Sequence, residues 1–372
     1  MIKPKDLLQQ EVLSVIEQNN YNGFVLIPTG VGKGKIMIDC VKKLNPKTVL
    51  YLSNSVLLRD KMFKEELRKW GCEDLITIID FECYQTVHRW EGNEYDLVLA
   101  DEADFALTDE YIKVFLNNTF KHTLMFSGSL SEEKKKLLKN ICPIIHEVDI
   151  KEAVSSEIVN KASVTFVNFK LFPEENKKYL SFSSKFSKIL NTTKKLTPKE
   201  NYSLDVLARQ RKLFLGELVS SSVYCRKLLK KIYNPTDKYL IFAKSKVQAD
   251  RLCKYSYYGG NEHLENLEKF NDGKIPALSV VSKIDRGINL TRVNNLIFDA
   301  VDKSDSSFKQ KSGRGRRLNV DEILNMFFLI PYYTTRYNDL KPTIIGQYAE
   351  NHTNTLGLSS NITRINYIYE NN

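Results

Sequence analysis

The sequence predicts an α/β chain built from parallel sheets flanked by helices, with a helical insertion in its second half. Three observations predict it. Short apolar runs alternate with amphipathic helical stretches over the first 150 residues. The same rhythm returns from residue 163 onward. The length of 372 residues, at roughly 150 per domain, leaves room for two or three such units.

Taken in order, Met1–Gln18 reads as an amphipathic helix interrupted by Gln and Glu, with no apolar leader core. Gly23–Ile27, Thr48–Ser53, Leu75–Ile79, Leu97–Ala100 and Thr123–Phe126 are short runs rich in β-branched, aromatic or other apolar residues, and read as buried strands. Lys35–Lys43 and Val56–Lys69 carry helical periodicity between them. In the second half, Ser163–Phe169, Tyr239–Ala243, Leu278–Ser282, Asn295–Phe298 and Met326–Ile330 are again expected strands. Between Pro173 and Tyr233 the pattern turns polar, helical and rich in Lys and Ser, without strand signals. After Tyr332 periodicity is weak and a short packed tail is expected. The expected division is residues 1–155 and 156–372, the second with a helical elaboration over 173–233.

Composition excludes several classes. A chain with 42% hydrophobic and 27% charged residues can bury full cores, so general disorder is excluded. The longest apolar stretch, around Met326–Tyr333, is far shorter than the ~20 residues of a spanning helix, and no membrane association is expected. Cys40, Cys72, Cys83, Cys142, Cys225 and Cys253 are scattered, with no C-x-x-C spacing, which argues against a zinc site or a disulfide framework. The default compartment is therefore the reducing cytoplasm. A net charge of +10 favours polyanionic partners, nucleic acid first.

The strongest local signal is the run Phe24–Lys35. A buried strand enters Pro28-Thr29-Gly30-Val31-Gly32-Lys33-Gly34, which opens a helix with Met37, Ile38 and Val41 on its apolar side. That is the context of a phosphate-binding loop. Gly30 and Gly32 allow a tight turn that converges backbone N–H groups on a phosphate, and Lys33 adds a full charge. One position departs from the pattern: the residue after the loop lysine is normally Ser or Thr, whose hydroxyl binds magnesium, and here it is Gly34. Thr29 is the alternative oxygen. The second signal is Tyr95-Asp-Leu-Val-Leu-Ala100 running into Asp101-Glu102-Ala103-Asp104. An apolar strand ending in adjacent acids places them at the carboxyl edge of a sheet, where ligands bind in open α/β folds. Asp101 can hold magnesium, directly or through water, and Glu102 can orient the water that attacks a γ-phosphate.

With these motifs, the sequence resembles the superfamily 2 helicases and translocases, which have two RecA-like domains, over most of its length and in the right order. Further segments carry the resemblance. Gln9 matches the upstream glutamine that reads adenine. Ser53-Asn54 and Tyr84-Gln85-Thr86 stand where the family touches the nucleic-acid backbone. Ser127-Gly128-Ser129 replaces the Ser/Thr-Ala-Thr tripeptide that couples the ATP site to strand movement. Lys244-Ser245 resembles the first motif of the second domain, and Ser282–Leu290, with Arg286, Gly287 and Asn289, the motif that contacts nucleic acid and nucleotide. Residues 310–317, Gln310-Lys-Ser-Gly313-Arg314-Gly-Arg316-Arg317, fit Gln-x-x-Gly-Arg-x-x-Arg.

The resemblance implies ATP and Mg2+ as cofactors. It implies catalytic roles for Lys33, Asp101, Glu102, Arg314 and Arg317, with the two arginines reaching the γ-phosphate, and nucleotide contacts from Gln9, residues 28–34, Gly287, Asn289 and Gln310. It also implies nucleic-acid contacts from Ser53, Asn54, Tyr84, Gln85, Thr86, Lys244, Ser245, Ser282 and Arg286. The tetrad spells Asp-Glu-Ala-Asp, yet the backbone motif is not the Pro-Thr-Arg-Glu-Leu of DEAD-box RNA helicases, and Gln310 stands where that family has His. The style is closer to compact phage and viral DNA helicases and restriction-enzyme motor subunits. The expectation is therefore a monomeric, nucleic-acid-stimulated ATPase. It would act on DNA in preference to RNA, on branched or forked substrates in phage-type replication, recombination or repair, with protein partners from those pathways and a place in the host cytoplasm. The alternative is an ATP-gated clamp, or a motor subunit of a restriction or nuclease complex.

Overall fold

A computed structural model describes residues 4–54, 63–138, 141–192, 196–258, 263–281, 290, 292–299, 301, 303, 308, 311–313, 315, 321–358 and 362–368. The chain forms two compact units. The first holds residues 1–161, with the described residues of 285–291 and 306–322 grouped alongside. The second holds 162–284, 292–305 and 323–372, again as far as these are described.

In the first unit, six parallel strands form one sheet: β1 (Gly23–Leu26), β2 (Val49–Ser53), β3 (Ile79–Cys83), β4 (Glu94–Ala100), β5 (Thr119–Ser127) and β6 (Ile144–Glu147). Their order is β3-β2-β4-β5-β1-β6. Alternate residues along each strand feed two separate cores. Val25, Tyr51, Leu97, Leu99, Leu124 and Phe126 join one, and Phe24, Leu50, Leu52, Val98, Ala100 and Met125 join the other. A sheet buried on both faces needs near-continuous apolar strands, and this is why these runs are legible in sequence. Helices α1 (Pro4–Gln18), α2 (Lys33–Leu44) and α3 (Phe63–Lys69) cover the first face through Val12, Ile16, Met37, Val41, Phe63 and Leu67. The remaining helices of the unit are short: α4 (Tyr84–Val87), α5 (Lys113–Leu116), α6 (Glu132–Leu138) and α7 (Ile150–Ser155).

One expected strand is corrected. Leu75–Ile79 is not extended; Glu73–Ile78 forms a 3-10 turn whose Leu75, Ile76 and Ile78 pack half-buried against the first core, and the strand begins at Ile79. The apolar run reports packing of a turn, while β3 itself, Ile-Asp-Phe-Glu-Cys at the sheet edge, is too polar to be read as buried.

The second unit is also α/β. Strands β7 (Ala162–Lys170), β8 (Tyr239–Ala243), β9 (Ser256–Tyr257), β10 (Ala277–Val281), β11 (Asn295–Phe298), β12 (Leu324–Thr334) and β14 (Ile362–Asn366) are parallel in the order β14-β7-β12-β11-β8-β10-β9. The short β13 (Leu340–Pro342) pairs antiparallel with β12. The insertion is present as α8 (Pro173–Thr192), α9 (Pro198–Leu215) and α10 (Val219–Ile232). Thr197 starts α9 with a full capping box to Glu200, and Pro198 occupies its first turn, so the break between α8 and α9 is written locally. Helices α11 (Lys246–Leu252), α12 (Leu264–Asn271) and α13 (Ile344–Thr355) complete the described part. The residues after Tyr332 do more than pack as a tail, because β14 extends the sheet in register with β7, Ile362 against Val164.

Candidate nucleotide site

The carboxyl ends of β1, β2, β4 and β5 lie side by side in the first sheet and carry the motifs that the sequence singled out. After β1 the chain turns through Gly30 at φ 101° and Gly32 at φ 99°, a left-handed backbone that side chains disfavour. Gly32 then caps α2 without a side-chain bond, leaving the first N–H groups of the helix oriented as an anion site requires. Gln9 of α1 closes the loop from behind, its Nε2 donating to the Val31 carbonyl at 2.7 Å.

Lys33, in the first turn of α2, directs its ammonium at the acidic end of β4 and lies 3.9 Å from Glu102 Oε1. Glu102 itself adopts a left-handed backbone at φ 49°, ψ 46°. Such strain is retained where surrounding contacts fix it, and it is common in functional turns. Asp101 is pinned on every side: its N–H donates to the Leu52 carbonyl at 2.9 Å and its carbonyl accepts from Tyr84 Oη at 2.9 Å. Its Oδ1 accepts from the Glu102 N–H at 2.9 Å and its Oδ2 from Tyr51 Oη at 3.2 Å. Burial, then the neighbouring Glu102 charge, push the Asp101 carboxyl up to about 6 against the opposing pull of Lys33. An acid held that way is short of positive charge, and its hard oxygens with those of Glu102 and Thr29 suit magnesium. Among the described residues no group of three or more His, Cys, Asp or Glu side chains could hold a metal, so phosphate oxygens and water would supply the remaining ligands.

At the end of β5, Ser127 is fully buried and its hydroxyl lies 3.1 Å from Asp104 Oδ1 and 2.9 Å from the Ser129 carbonyl. Lys134 of α6 reaches back to the Asp104 carbonyl and sits 3.8 Å from its Oδ2. The last acid of the tetrad and the Ser-Gly-Ser segment therefore form one buried network. Gly128 has a steric reason: a Cβ there would lie 3.3 Å from Thr29 Oγ1 and 3.4 Å from Lys33 Nζ, crowding the loop hydroxyl and the loop cation. Gly313, grouped with this unit, approaches the same threonine, with a Cβ placed 2.7 Å from Thr29 Cβ. Lys311 and Ser312 beside it are buried.

The structure thus brings together Gln9, Pro28, Thr29, Gly30, Val31, Gly32, Lys33, Gly34, Asp101, Glu102, Ser127, Gly128 and Ser129. Of the expected nucleic-acid residues, Gln85 and Thr86 are exposed, whereas Tyr84 is fully buried with its hydroxyl on Asp101. Ser53 is buried at the end of β2, and Asn54 is buried with no partner for its side-chain amide among the described residues. In the second unit, Ser245 caps α11, accepting from the Gln248 N–H, and Lys244 packs over Gly216. Ser282, Arg286, Gly287, Asn289, Gln310, Arg314, Arg316 and Arg317 lie outside the described residues. Sequence reading missed Tyr51 and Lys134, which act from β2 and α6. A tyrosine inside an otherwise aliphatic buried strand was the available signal for the first, since a buried hydroxyl needs a partner.

Residues 224–319 match the family described as helicase conserved C-terminal domain. Solved structures similar to this chain include S. cerevisiae Dbp5 bound to RNA and ADP BeF3, at TM-score 0.60 and 14% identity, covering 96% of this chain and 88% of Dbp5. A variant of Dbp5 with the same ligands gives TM-score 0.62 at 13% identity over the same shares of each chain. The ATP-dependent Type ISP restriction-modification enzyme LlaBIII bound to DNA gives TM-score 0.61 at 11% identity, covering 98% of this chain and 31% of the enzyme. A Ribonuclease HII of Caldicellulosiruptor bescii is 25% identical over 171 residues, 43% of this chain and 80% of that protein. The fold is that of the two RecA-like helicase domains, and the domain match with the structural likeness supports a superfamily 2 helicase or translocase.

Proposed function

We propose that this chain is a nucleic-acid-stimulated ATPase that moves along DNA as a superfamily 2 helicase or translocase, on branched or forked substrates of phage-type replication, recombination or repair. One observation carries the reading. Lys33 leaves a glycine loop with two positive-φ turns and faces Glu102 at 3.9 Å, across the carboxyl edge of one parallel sheet. The loop N–H groups and Lys33 hold the β- and γ-phosphates, Gln9 reads the base, and Glu102 orients the attacking water. Asp101, with Thr29 nearby, would hold Mg2+, which neutralises charge on the phosphates when bound. Arg314 and Arg317 are assigned to the γ-phosphate, where such arginines are worth ~10³–10⁵ in rate. Ser127 and Asp104 share a buried bond, and so a change at the tetrad reaches the end of β5 directly.

Charge supports the polyanion. Between Pro173 and Leu215, ten basic and four acidic side chains supply six of the ten net positive charges. On α8, Lys177, Lys178, Lys185 and Lys188 are all exposed and fall within about 100° of helix circumference, a row suited to phosphates rather than to base edges. Gln85 and Thr86 are the exposed candidates for backbone contact in the first unit. The restriction enzyme in the comparison is bound to DNA and Dbp5 to RNA. The preference for DNA rests on the Ser53-Asn54 and Gln310 departures from the DEAD-box pattern. A second reading, a clamp gated by ATP or a motor subunit of a restriction complex, is favoured by Gly34, which lacks the metal-binding hydroxyl. The test is ATP turnover with single-stranded, duplex and forked DNA and with RNA. The proposal expects the largest stimulation on forked DNA, and equal rates with and without every nucleic acid refute it.

A further inference from the structure

We infer that Tyr51 is a positioning residue of the nucleotide site, whose hydroxyl holds the Asp101 carboxylate in place of the order that a hydroxyl at position 34 would bring. The inference rests on the reading that Asp101 serves bound nucleotide. Tyr51 is 1% exposed, and among the described residues its hydroxyl bonds Asp101 Oδ2 at 3.2 Å, fifty residues away in sequence. With Oδ1 taken by the Glu102 N–H, both carboxylate oxygens have a donor and the plane of the carboxylate is fixed. Without Tyr51, the Glu102 N–H would be the one donor left to this carboxylate among the described residues.

The surroundings of Tyr51 are built for this. In the sheet Tyr51 pairs with Leu99 and Leu52 with Ala100, so Tyr51 lies beside the last turns of β4 and its side chain enters the core under α2 and α3. Phe63 of α3 stacks on its ring at 4.3 Å and 6°, and Phe81 of β3 packs beside both rings, 5.8 Å from Tyr51 and 6.4 Å from Phe63, so the tyrosine is held in an aromatic cluster. One turn further along α3, Glu66 lies over Gly34, its Cγ 3.4 Å from where a Cβ would be. The same short helix therefore braces the tyrosine and covers the glycine. A serine at 34 meets Glu66 only at ordinary contact distance and at a backbone angle that any residue adopts, so the site can accept the missing hydroxyl.

The test is a cycle of Tyr51→Phe, Gly34→Ser and the double variant. It is read by the Mg2+ concentration that half-saturates binding of a fluorescent ATP analogue, and by kcat and KM for ATP. Loss of a partner that orients a metal ligand typically costs 10–100-fold in metal affinity or activity. Tyr51→Phe is expected to raise the Mg2+ midpoint about tenfold and lower kcat, with KM for ATP moved less. Gly34→Ser is expected to recover more in the Tyr51→Phe background than it gains in the wild type. Phe63→Leu, which loosens the stack but keeps the hydroxyl, sets the scale of a packing loss and should leave the Mg2+ midpoint in place. An unchanged midpoint in Tyr51→Phe, equal effects of Gly34→Ser in both backgrounds, or the same shift from Phe63→Leu overturns the inference. Lys33→Ala separates the two failures. If it leaves nucleotide binding intact, the site reading has failed; if it abolishes binding while Tyr51→Phe is silent, only the tyrosine assignment has failed.

Discussion

Gly32→Ala perturbs the phosphate loop in a way whose size can be worked out. Gly32 sits at φ 99°, ψ 46°, and a residue with a Cβ in left-handed backbone costs roughly 1–2 kcal/mol. The new methyl would also lie 2.4 Å from Gln9 Nε2, so the glutamine must swing away and its 2.7 Å bond to the Val31 carbonyl is lost, about 1 kcal/mol more. The sum is about 2–3 kcal/mol. Both tryptophans, Trp70 and Trp90, belong to the first unit, so urea unfolding followed by tryptophan fluorescence reports on that unit alone. The two causes separate in a Gln9→Ala background, where the side chain in the way is gone. There Gly32→Ala should cost only the backbone share, a coupling of about 1 kcal/mol. A loss below about 0.5 kcal/mol, the range of an ordinary surface substitution, would refute the strained-loop account. Equal losses in both backgrounds would refute the Gln9 contact.

Four further outcomes are expected. Lys33→Ala should abolish ATP hydrolysis, while Arg317→Ala should lose turnover and keep most ATP affinity; equal losses of rate and affinity at Arg317 would assign it to binding or folding. Asp299, buried at the end of β11 against Ser221, has its carboxyl pushed up to about 7 by burial. Between about pH 4 and pH 7 the folded state then holds a proton that the unfolded chain has released, so stability falls as pH rises by about 1.4 kcal/mol per unit and levels above pH 7. Asp299→Asn cannot ionise. Its stability relative to wild type should climb across that window in urea unfolding followed by circular dichroism, and a constant difference would count against the assignment. Replacing Lys177, Lys178, Lys185 and Lys188 by Gln should flatten the slope of log K for duplex DNA against log salt by up to about 3–4, and an unchanged slope would make that row a solvated face.

What the sequence revealed and what it hid follow from burial. The strands expected at Tyr239–Ala243 and Asn295–Phe298 match β8 and β11 residue for residue, because central strands buried on both faces are written in continuous apolar runs. The strands that escaped are edges or short pairs: β3, β6, β9, β13 and β14, with Thr363, Arg364 and Asn366 of β14 exposed. The phosphate loop was legible because its chemistry is local, glycines and a lysine in one turn. The Tyr51–Asp101 bond and the reach of Lys134 to Asp104 were not, since both join residues 30 or more apart and depend on strand order.

The central claim is that ATP turned over at Lys33 drives movement along a nucleic acid. The most direct measurement is displacement of streptavidin from a biotinylated DNA strand, with ATP present, by the wild type and by Lys33→Ala. Displacement by the wild type at a rate that follows ATP turnover, and none by Lys33→Ala, is the predicted result. ATP hydrolysis without displacement on single-stranded, duplex or forked DNA, from either strand end, would contradict it.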